Sequence, residues 1–502
     1  MRAQGLRLPV AALAALFLAT ALARAPASDT AAPGAAGLRA GAAKAKITPP
    51  PGRDLWGWVS GRQGQVALDE LYARALALDC GNGEGPILVV ACDLVRIPDN
   101  LAALAKAKIK EKTGVPPERV LLCSTHCHSG PNIKNEPGLV APGIVEAAAA
   151  AVAALAPAEF AAGSFEESGI QKNRRILLSD GTVMTSWSTN PPRGTTIVGR
   201  GPLDPAFSVL SFRAKEGGKS IAVLLNFTTH IHIAKASAYT AELPAGLTAR
   251  LEKNLGGVAV YTQGASADVT NWNADALDGE RTEIPRKEDG MRQAIRDAQA
   301  KVAELLGPKV EKIAAESAYS AQVPVAMVQA DFFFESRAKG GGRRGRPSRK
   351  APPPPGAGPT EKTILQALRI GDVGLATAPG ELFCSLGLDL KKRSPFSRTL
   401  LVGYANDAID YIPDRKAYDE GGYETEQKHC PGAPGTGEKL VDADLDLLAK
   451  LAGKPAKPRE PPSAKPPEKP ATEPAKPPAP PAGSPAPAPN PVAPPAPVPG
   501  KN

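Results

Sequence analysis

From about residue 37 onward, short apolar runs of strand length alternate with longer stretches in which apolar residues recur at helical spacing. Residues 74–79 and 86–91 read as two strands joined by a Gly-rich turn at 81–85. Asp99 is expected to cap a helix that runs to about Lys112, where Gly114 and the proline pair at 116–117 end it. Residues 120–124 form a buried-type strand, 143–155 an Ala-rich helix, and 207–212 with 220–226 a hairpin. Met291, Ile295, Ala298, Val302 and Leu305 recur at helical spacing over 287–306 and predict a core-facing stripe. Strands follow near 323–334 and 364–377. This interleaving predicts an α/β fold of the mixed α+β kind: one large catalytic domain over 37–452, with several β-sheet layers flanked by helices.

The chain ends break the pattern. Arg2 and Arg7 precede an apolar run over 8–22 and a set of small residues. That is the layout of a cleaved export signal over 1–27, so a periplasmic, secreted or cell-surface protein is expected. Residues 28–36 read as a flexible lead-in, 336–362 as a disordered basic loop, and 453–502 as a disordered Pro/Ala/Lys-rich tail. The formal charge of +9 resides in that loop and tail, which together carry more positive charge than the whole chain, so the folded part is slightly acidic. A nucleic-acid partner is therefore not expected, while peripheral contact with a membrane or cell wall through loop and tail is. The six cysteines are even in number, but Cys92 and Cys123 lie in apolar runs that suit buried free thiols.

Chemistry concentrates in the histidines. Four of the five fall in two His-x-His pairs, His126/His128 and His230/His232, each closing an apolar run. On a strand, residues i and i+2 share a face, so each pair is expected to present two imidazoles at a strand end, a donor set suited to zinc. Gln263 to Asn271 reads as a strand running into a small-residue loop that carries Asp268 and Thr270. Glu381 follows Pro379-Gly380 at the expected start of a helix, where a carboxylate serves as a ligand or as an N-terminal charge. His429, in a Gly/Pro-rich stretch, reads as a surface residue.

With these residues in view, the chain resembles the neutral/alkaline (non-lysosomal) ceramidase family over about 37–430. Ile47-Thr48-Pro49-Pro50 is similar to the family's "ITPP" turn, and 71–76 to its "LYARAL" strand. Thr125 to Pro131 resembles its "THTHSGP" motif with Cys127 in the middle, and Asn226-Phe227 with His230 its "NF..H". Asn173-Arg174, the 263–271 loop, Pro379-Gly380-Glu381 and the Tyr-rich segment 404–424 match further motifs in the same order. The resemblance implies a zinc-dependent hydrolase of the N-acyl bond of ceramide or a related small lipid amide. It implies His126, His230, Glu381 and Tyr411 as zinc ligands, and His128 beside the activated water as the group that moves the proton. Arg174 and Tyr423 would hold the polar part of the substrate, and Thr270 stands where the family has a Ser that contacts the reacting group. His232 has no counterpart. The Thr270-Asn271 pair stands where the family has Ser-Pro, and a Pro-rich tail where the family has a further β-domain. Two other readings therefore stay open: a related zinc hydrolase of another amide or ester, such as an acylated sugar or wall fragment, and a non-catalytic wall-associated binding protein.

Overall fold

The computed structural model describes residues 37–57, 61–188, 190–272, 286–337 and 358–460. The expected export signal and lead-in, most of the basic loop, and the tail beyond 460 lie outside the described residues. The fold is mixed α/β, as the alternation predicts. An eight-stranded sheet runs in the order Val258–Gln263, Ser220–Phe227, Ala206–Ala214, Ala156–Glu166, Arg39–Lys46, Tyr72–Asp79, Ile87–Cys92, Val120–Ser124. Its inner pairs are antiparallel, while the outermost pair at each edge is parallel. The sheet curls, so the Val258–Gln263 edge packs back against the Tyr72–Asp79, Ile87–Cys92 and Val120–Ser124 strands near the other edge. Ala73, Ala75, Ala77 and Ala259, all buried, are small enough to allow that approach.

Helices α1 (Asp99–Thr113), α2 (Ala141–Ala153), α3 (Leu243–Leu255) and α4 (Glu288–Glu316) share one apolar core with this sheet. Helix α2 lies close: a Cβ on Gly41 would meet the Ala151 carbonyl oxygen at 2.3 Å, so only glycine fits beneath it. A second core joins the large sheet to a four-stranded sheet, Val325–Glu335, Thr360–Ile370, Val373–Thr377 and Arg398–Val402. Helices α5 (Cys384–Arg393) and α6 (Thr436–Ala452) contribute, with that smaller sheet, to a third core. No helix among the described residues is long and apolar enough to cross a membrane. All six cysteines are free, and Cys92 and Cys123 are fully buried thiols as expected.

Several sequence expectations are corrected. Asp99 does not cap α1: Pro98 occupies the cap position, and the Asp99 carboxylate accepts from Asn100 N–H instead. The helix expected over 287–306 continues through Pro308 to Glu316, and it buries Leu306 while Leu305 stays exposed, because the step of four from Val302 keeps to the packed face. The run 364–377 is two strands that turn at Gly371, whose φ of 63° suits glycine. At the edges of the expected loop, Thr360–Lys362 are paired with Phe333–Glu335, and Ser336 bridges to Gly432. Glu381 precedes helix α5 by three residues and lies instead in a two-residue strand.

One buried group opposes this packing. Asp444, on the inner face of α6, has both carboxyl oxygens buried and without a hydrogen-bond partner. Burial pushes its pKa well above the ordinary carboxylate range. A carboxyl with a raised folded-state pKa holds its proton more tightly folded than unfolded. Its destabilising effect is therefore absent below the unfolded pKa of about 4 and grows as pH rises above that value. Asp444→Asn should leave stability nearly unchanged at pH 4 and raise it by more than about 1 kcal/mol at pH 8, since one unit of pKa shift corresponds to about 1.4 kcal/mol. Urea unfolding at the two pH values checks this; equal effects at both would contradict it.

Candidate metal centre

Both His-x-His pairs lie beyond the strands that were expected to hold them. The strands end at Ser124 and Phe227, and the histidines occupy the loops that follow. Strand alternation is therefore not what gathers them. Thr125 N–H and Cys127 N–H donate to the carbonyls of Cys92 and Leu94, which anchors the first loop beside the neighbouring strand's exit. Between those anchors His126 takes a left-handed turn, φ 64°. The second loop is fixed by His230 N–H donating to the Val269 carbonyl at 3.0 Å, and by Asn271 Nδ2 donating to the carbonyls of His230 and His232. The curl of the large sheet brings these loops, from opposite ends of the strand order, into contact.

All four imidazoles converge. His126 Nε2 lies 3.2 Å from His230 Nε2 and 3.0 Å from His128 Nε2, and the ring of His232 stacks on that of His128 with centroids 4.7 Å apart. Donor atoms of His126, His128 and His230 lie within 4.8 Å of one another, a group that could hold a metal ion. Burial, reinforced by neighbouring cations, lowers the pKa of these three rings well below the usual histidine value and that of His232 to about 3, so all are neutral. Backbone carbonyls assign two of the tautomers. His126 Nδ1–H donates to Val95 O at 2.9 Å, and His230 Nδ1–H to Ser266 O and Val269 O at 2.9 Å each. Both Nε2 atoms then carry lone pairs. A proton on His128 Nε2 satisfies its own contact with His126, but the His126–His230 contact still sets two lone pairs face to face.

Glu381 comes from a third direction. The two-residue strand Glu381–Leu382 pairs in parallel with Tyr411–Ile412, which puts Glu381 opposite Tyr411. Its Oε2 is buried without a hydrogen-bond partner, 3.8 Å from His126 Nε2 and 3.6 Å from His230 Nε2. Burial raises the Glu381 pKa to about 7, against the opposing pull of Arg96 and Arg174, and a hydrogen bond from the Tyr411 hydroxyl stabilises the ionised form. Facing lone pairs, an orphaned carboxylate oxygen and neutral imidazoles together form a donor set with the chemistry of a divalent metal site of mixed nitrogen and oxygen type.

Arg174 lies against this cluster. Its Nη2 donates to the Tyr411 hydroxyl at 3.0 Å, its Nη1 lies 3.3 Å from His230 Nε2, and its Nε donates to Glu424 Oε1 at 2.8 Å. Arg175 Nη1 donates to the other oxygen of Glu424 at 3.0 Å. Burial works against the Arg174 charge, but Tyr411, Glu424 and Glu381 more than offset it and its pKa is raised. Tyr423 is half-buried among Trp187, Tyr411 and His429, with ring centroids at 5.3, 5.8 and 4.4 Å. His429 is thus part of the aromatic group beside the site, not the open surface residue that its Gly/Pro-rich surroundings suggested. Thr270 is buried in the short strand Val269–Asn271, paired with Gln171–Asn173 immediately before Arg174. His126, His128, His230, Glu381, Tyr411, Arg174 and Tyr423 therefore lie in or beside one cluster, and Thr270 sits on the strand paired with the residues that lead into Arg174.

Other members escaped notice. Glu242 is fully buried, accepts from His128 N–H and Ser129 Oγ–H at 3.1 and 2.9 Å, and has a pKa raised by burial to about 8. The Tyr404 ring stacks on His126, centroids 4.0 Å apart. Glu424 sat within a recognised motif but carried no expectation; a carboxylate two residues after Gly422, in a chain with adjacent Arg174 and Arg175, was the available signal. Among the described residues, the non-glycine positions with positive φ are His126, Glu242, Tyr404, Asn406 and Asp410. The first three touch the histidine cluster, Asp410 O accepts from Glu381 N–H at 2.8 Å, and Asn406 bonds back to Leu122 on the strand that leads to His126. Backbone strain is concentrated around the site.

Among solved structures, the chain is similar to the neutral ceramidase from Pseudomonas aeruginosa, with a TM-score of 0.63 and 19% identity over 85% of this chain and 76% of that one. It is similar to a ceramidase complexed with C2 at a TM-score of 0.62, again 19% identical, over 84% and 77% of the two chains. No protein-family model matches the sequence. No curated protein matches it either. At this identity the likeness is one of fold.

The Arg174–Glu424–Arg175 group predicts a stability effect. Glu424→Gln removes the one carboxylate that both guanidiniums share, and uncompensated buried charge costs about 3–5 kcal/mol. A loss near that size in urea unfolding is expected; a change below about 1 kcal/mol would show that the two arginines do not depend on it.

Proposed function

We propose that the chain is an exported zinc-dependent amidohydrolase that cleaves the N-acyl bond of ceramide or a related lipid amide. The observation that carries this reading is the buried contact between His126 and His230, two lone pairs facing each other beside the unpartnered Oε2 of Glu381. A divalent cation removes that repulsion. The ceramidase-like fold around the cluster supports the substrate class. Neutral imidazoles combined with a carboxylate favour zinc over magnesium or calcium. His126, His230 and Glu381 would hold the ion, with Tyr411 beside them; bound zinc supplies Lewis acidity toward a carbonyl and a water acidified toward neutral pH.

The chain's own residues account for the rest. The Arg174 guanidinium, fixed by Glu424, keeps a positive charge beside the place where an amide oxygen becomes negative. The Tyr411 hydroxyl, tied to Arg174 and Glu381, is placed to stabilise the same charge. Burial of the cluster excludes bulk water and strengthens each of these interactions. Tyr423, with Trp187 and His429, gives the approach to the site an aromatic wall suited to the body of a lipid amide.

The test is elemental analysis of the purified protein combined with hydrolysis of a fluorescent short-chain ceramide. About one zinc per chain and chelator-sensitive release of fatty acid are expected. His126→Ala and Glu381→Ala should each lose zinc and reduce turnover by more than about a hundredfold, as loss of a transition-state interaction of roughly 3 kcal/mol implies. Zinc without ceramide cleavage would move the substrate to another amide or an ester, and no metal at all would reject the enzyme reading.

A further inference from the structure

A second guanidinium borders the site and has no part in the reading above. Arg96 follows Val95, whose carbonyl accepts from His126 Nδ1–H at 2.9 Å, whereas Arg174 touches His230 and Tyr411. The two arginines therefore come to the cluster by different histidines. Arg96 Nη1 donates to Asp410 Oδ1, and the Asp410 carbonyl accepts from Glu381 N–H at 2.8 Å. Over the guanidinium stands the Trp56 ring, with Cζ 5.2 Å from its centroid. Trp56 is fixed by its N–H to the Gly130 carbonyl at 3.0 Å, and the next residue, Gly57, lies directly against the ring of His128. Arg96 is thus clamped between two segments that border the cluster. Burial works against its charge, but Asp410 and Glu381 more than offset it. Two features separate it from a structural brace. Its side chain keeps 24% of its surface open and that of Asp410 37%, whereas Arg174 and Glu424 keep 4% and 1%. Among the described residues, Asp410 is also its one hydrogen-bond partner, so one of the five N–H groups of the guanidinium is engaged. Arg174, by contrast, directs Nε, Nη1 and Nη2 to Glu424, His230 and Tyr411. A charged, clamped and partly open guanidinium with donors to spare suits a carboxylate.

We propose that Arg96 binds a carboxylate of the substrate, and that the lipid amide this site cleaves is an N-acyl amino acid. The proposal rests on the amidohydrolase reading above and names its substrate class. The two guanidiniums end on adjacent residues, Arg96 on Asp410 and Arg174 on Tyr411, and both act on Glu381. With the amide oxygen beside Arg174 and Tyr411, the group that meets Arg96 lies within a few bonds of the scissile amide. An α-carboxylate, one carbon from the amide nitrogen, satisfies that; a remote headgroup does not. Hydrolysis adds the water oxygen to the acyl carbon and breaks the C–N bond, and the nitrogen leaves with a proton from that water. The products are a fatty acid and a free amino acid. Asp410 competes with the substrate for the same guanidinium and so limits the preference.

The experiment uses the full chain loaded with zinc and compares kcat/KM for N-dodecanoylglycine with that for N-dodecanoylglycinamide, which replaces the carboxylate by a neutral amide. A fluorescent short-chain ceramide is run beside them. The parent should prefer the carboxylate by more than about tenfold, the range for a hydrogen bond to a charged group. Arg96→Gln should cut that preference to within about threefold, chiefly by raising KM for the acid. Asp410→Asn should enlarge it by lowering the same KM, and asparagine tolerates the left-handed backbone at this position, φ 59°. Melting and zinc content check that each variant keeps its fold and centre; if Arg96→Gln does not, the direction of the Asp410→Asn effect decides. A parent that cleaves the glycinamide as well as the acid, or a preference that survives Arg96→Gln, would overturn the proposal. Cleavage of ceramide but of neither glycine compound would also overturn it while leaving the amidohydrolase reading intact. A zinc-loaded parent that cleaves none of the three would overturn both.

Discussion

The structure turns on holding nitrogen lone pairs against one another out of reach of water. His126 and His230 are each committed to the same tautomer by backbone carbonyls, so neither can turn a proton toward the other. In water, two such rings would separate. Here they are kept together by loops whose backbone is itself bent out of its comfortable range, at His126, Glu242 and Tyr404. Each such residue costs on the order of 1–3 kcal/mol, and it persists only because surrounding contacts over-determine it. Those contacts are the packed cores on both faces of the large sheet.

The curl of that sheet sets up the problem and solves it. Strands far apart in the pairing order end side by side, so their exit loops deliver side chains from both ends of the strand order to one place. Alanines along Tyr72–Asp79 make the approach close enough. The smaller sheet then completes the set through its own connections, since Glu381 follows Val373–Thr377 and Tyr411 follows Arg398–Val402, and the two meet in a parallel pair of only two residues each. The buried charge of Arg174 is balanced locally by Glu424, so the cationic side of the site does not depend on solvent.

Much of this was legible in the chain. The strand and helix periodicities placed most elements to within a few residues, because apolar spacing reflects burial directly, and the histidine pairs marked the site. What misled was the assumption that a histidine near a strand lies on the strand. The apolar run reaches Ser124, but a left-handed residue at His126 then redirects the chain, and nothing in a histidine's identity announces that turn. The pairing of Glu381 with Tyr411 depends on two connections meeting in space and has no local signature. Glu242 and Glu424 look like ordinary surface acids until their partners, a backbone N–H in one case and two arginines in the other, are seen in place. Leu305 and Leu306 show the same limit on a small scale, since a helical stripe drifts and adjacent leucines cannot be told apart by spacing alone.

The six cysteines are all free, so the described fold contains no covalent tie between distant parts of the chain. The converging donors offer another kind of tie. His126, His230 and Glu381 belong to three stretches separated by long loops of sequence, and an ion shared among them would tie the three together in the folded state only, stabilising it by mass action because the unfolded chain has no assembled site. A protein built this way loses that tie without any redox chemistry. Acid, by charging the imidazoles, or a strong chelator would cut it, and either would free at once the loops that follow the edge strand Val120–Ser124 and the next-to-edge strand Ser220–Phe227.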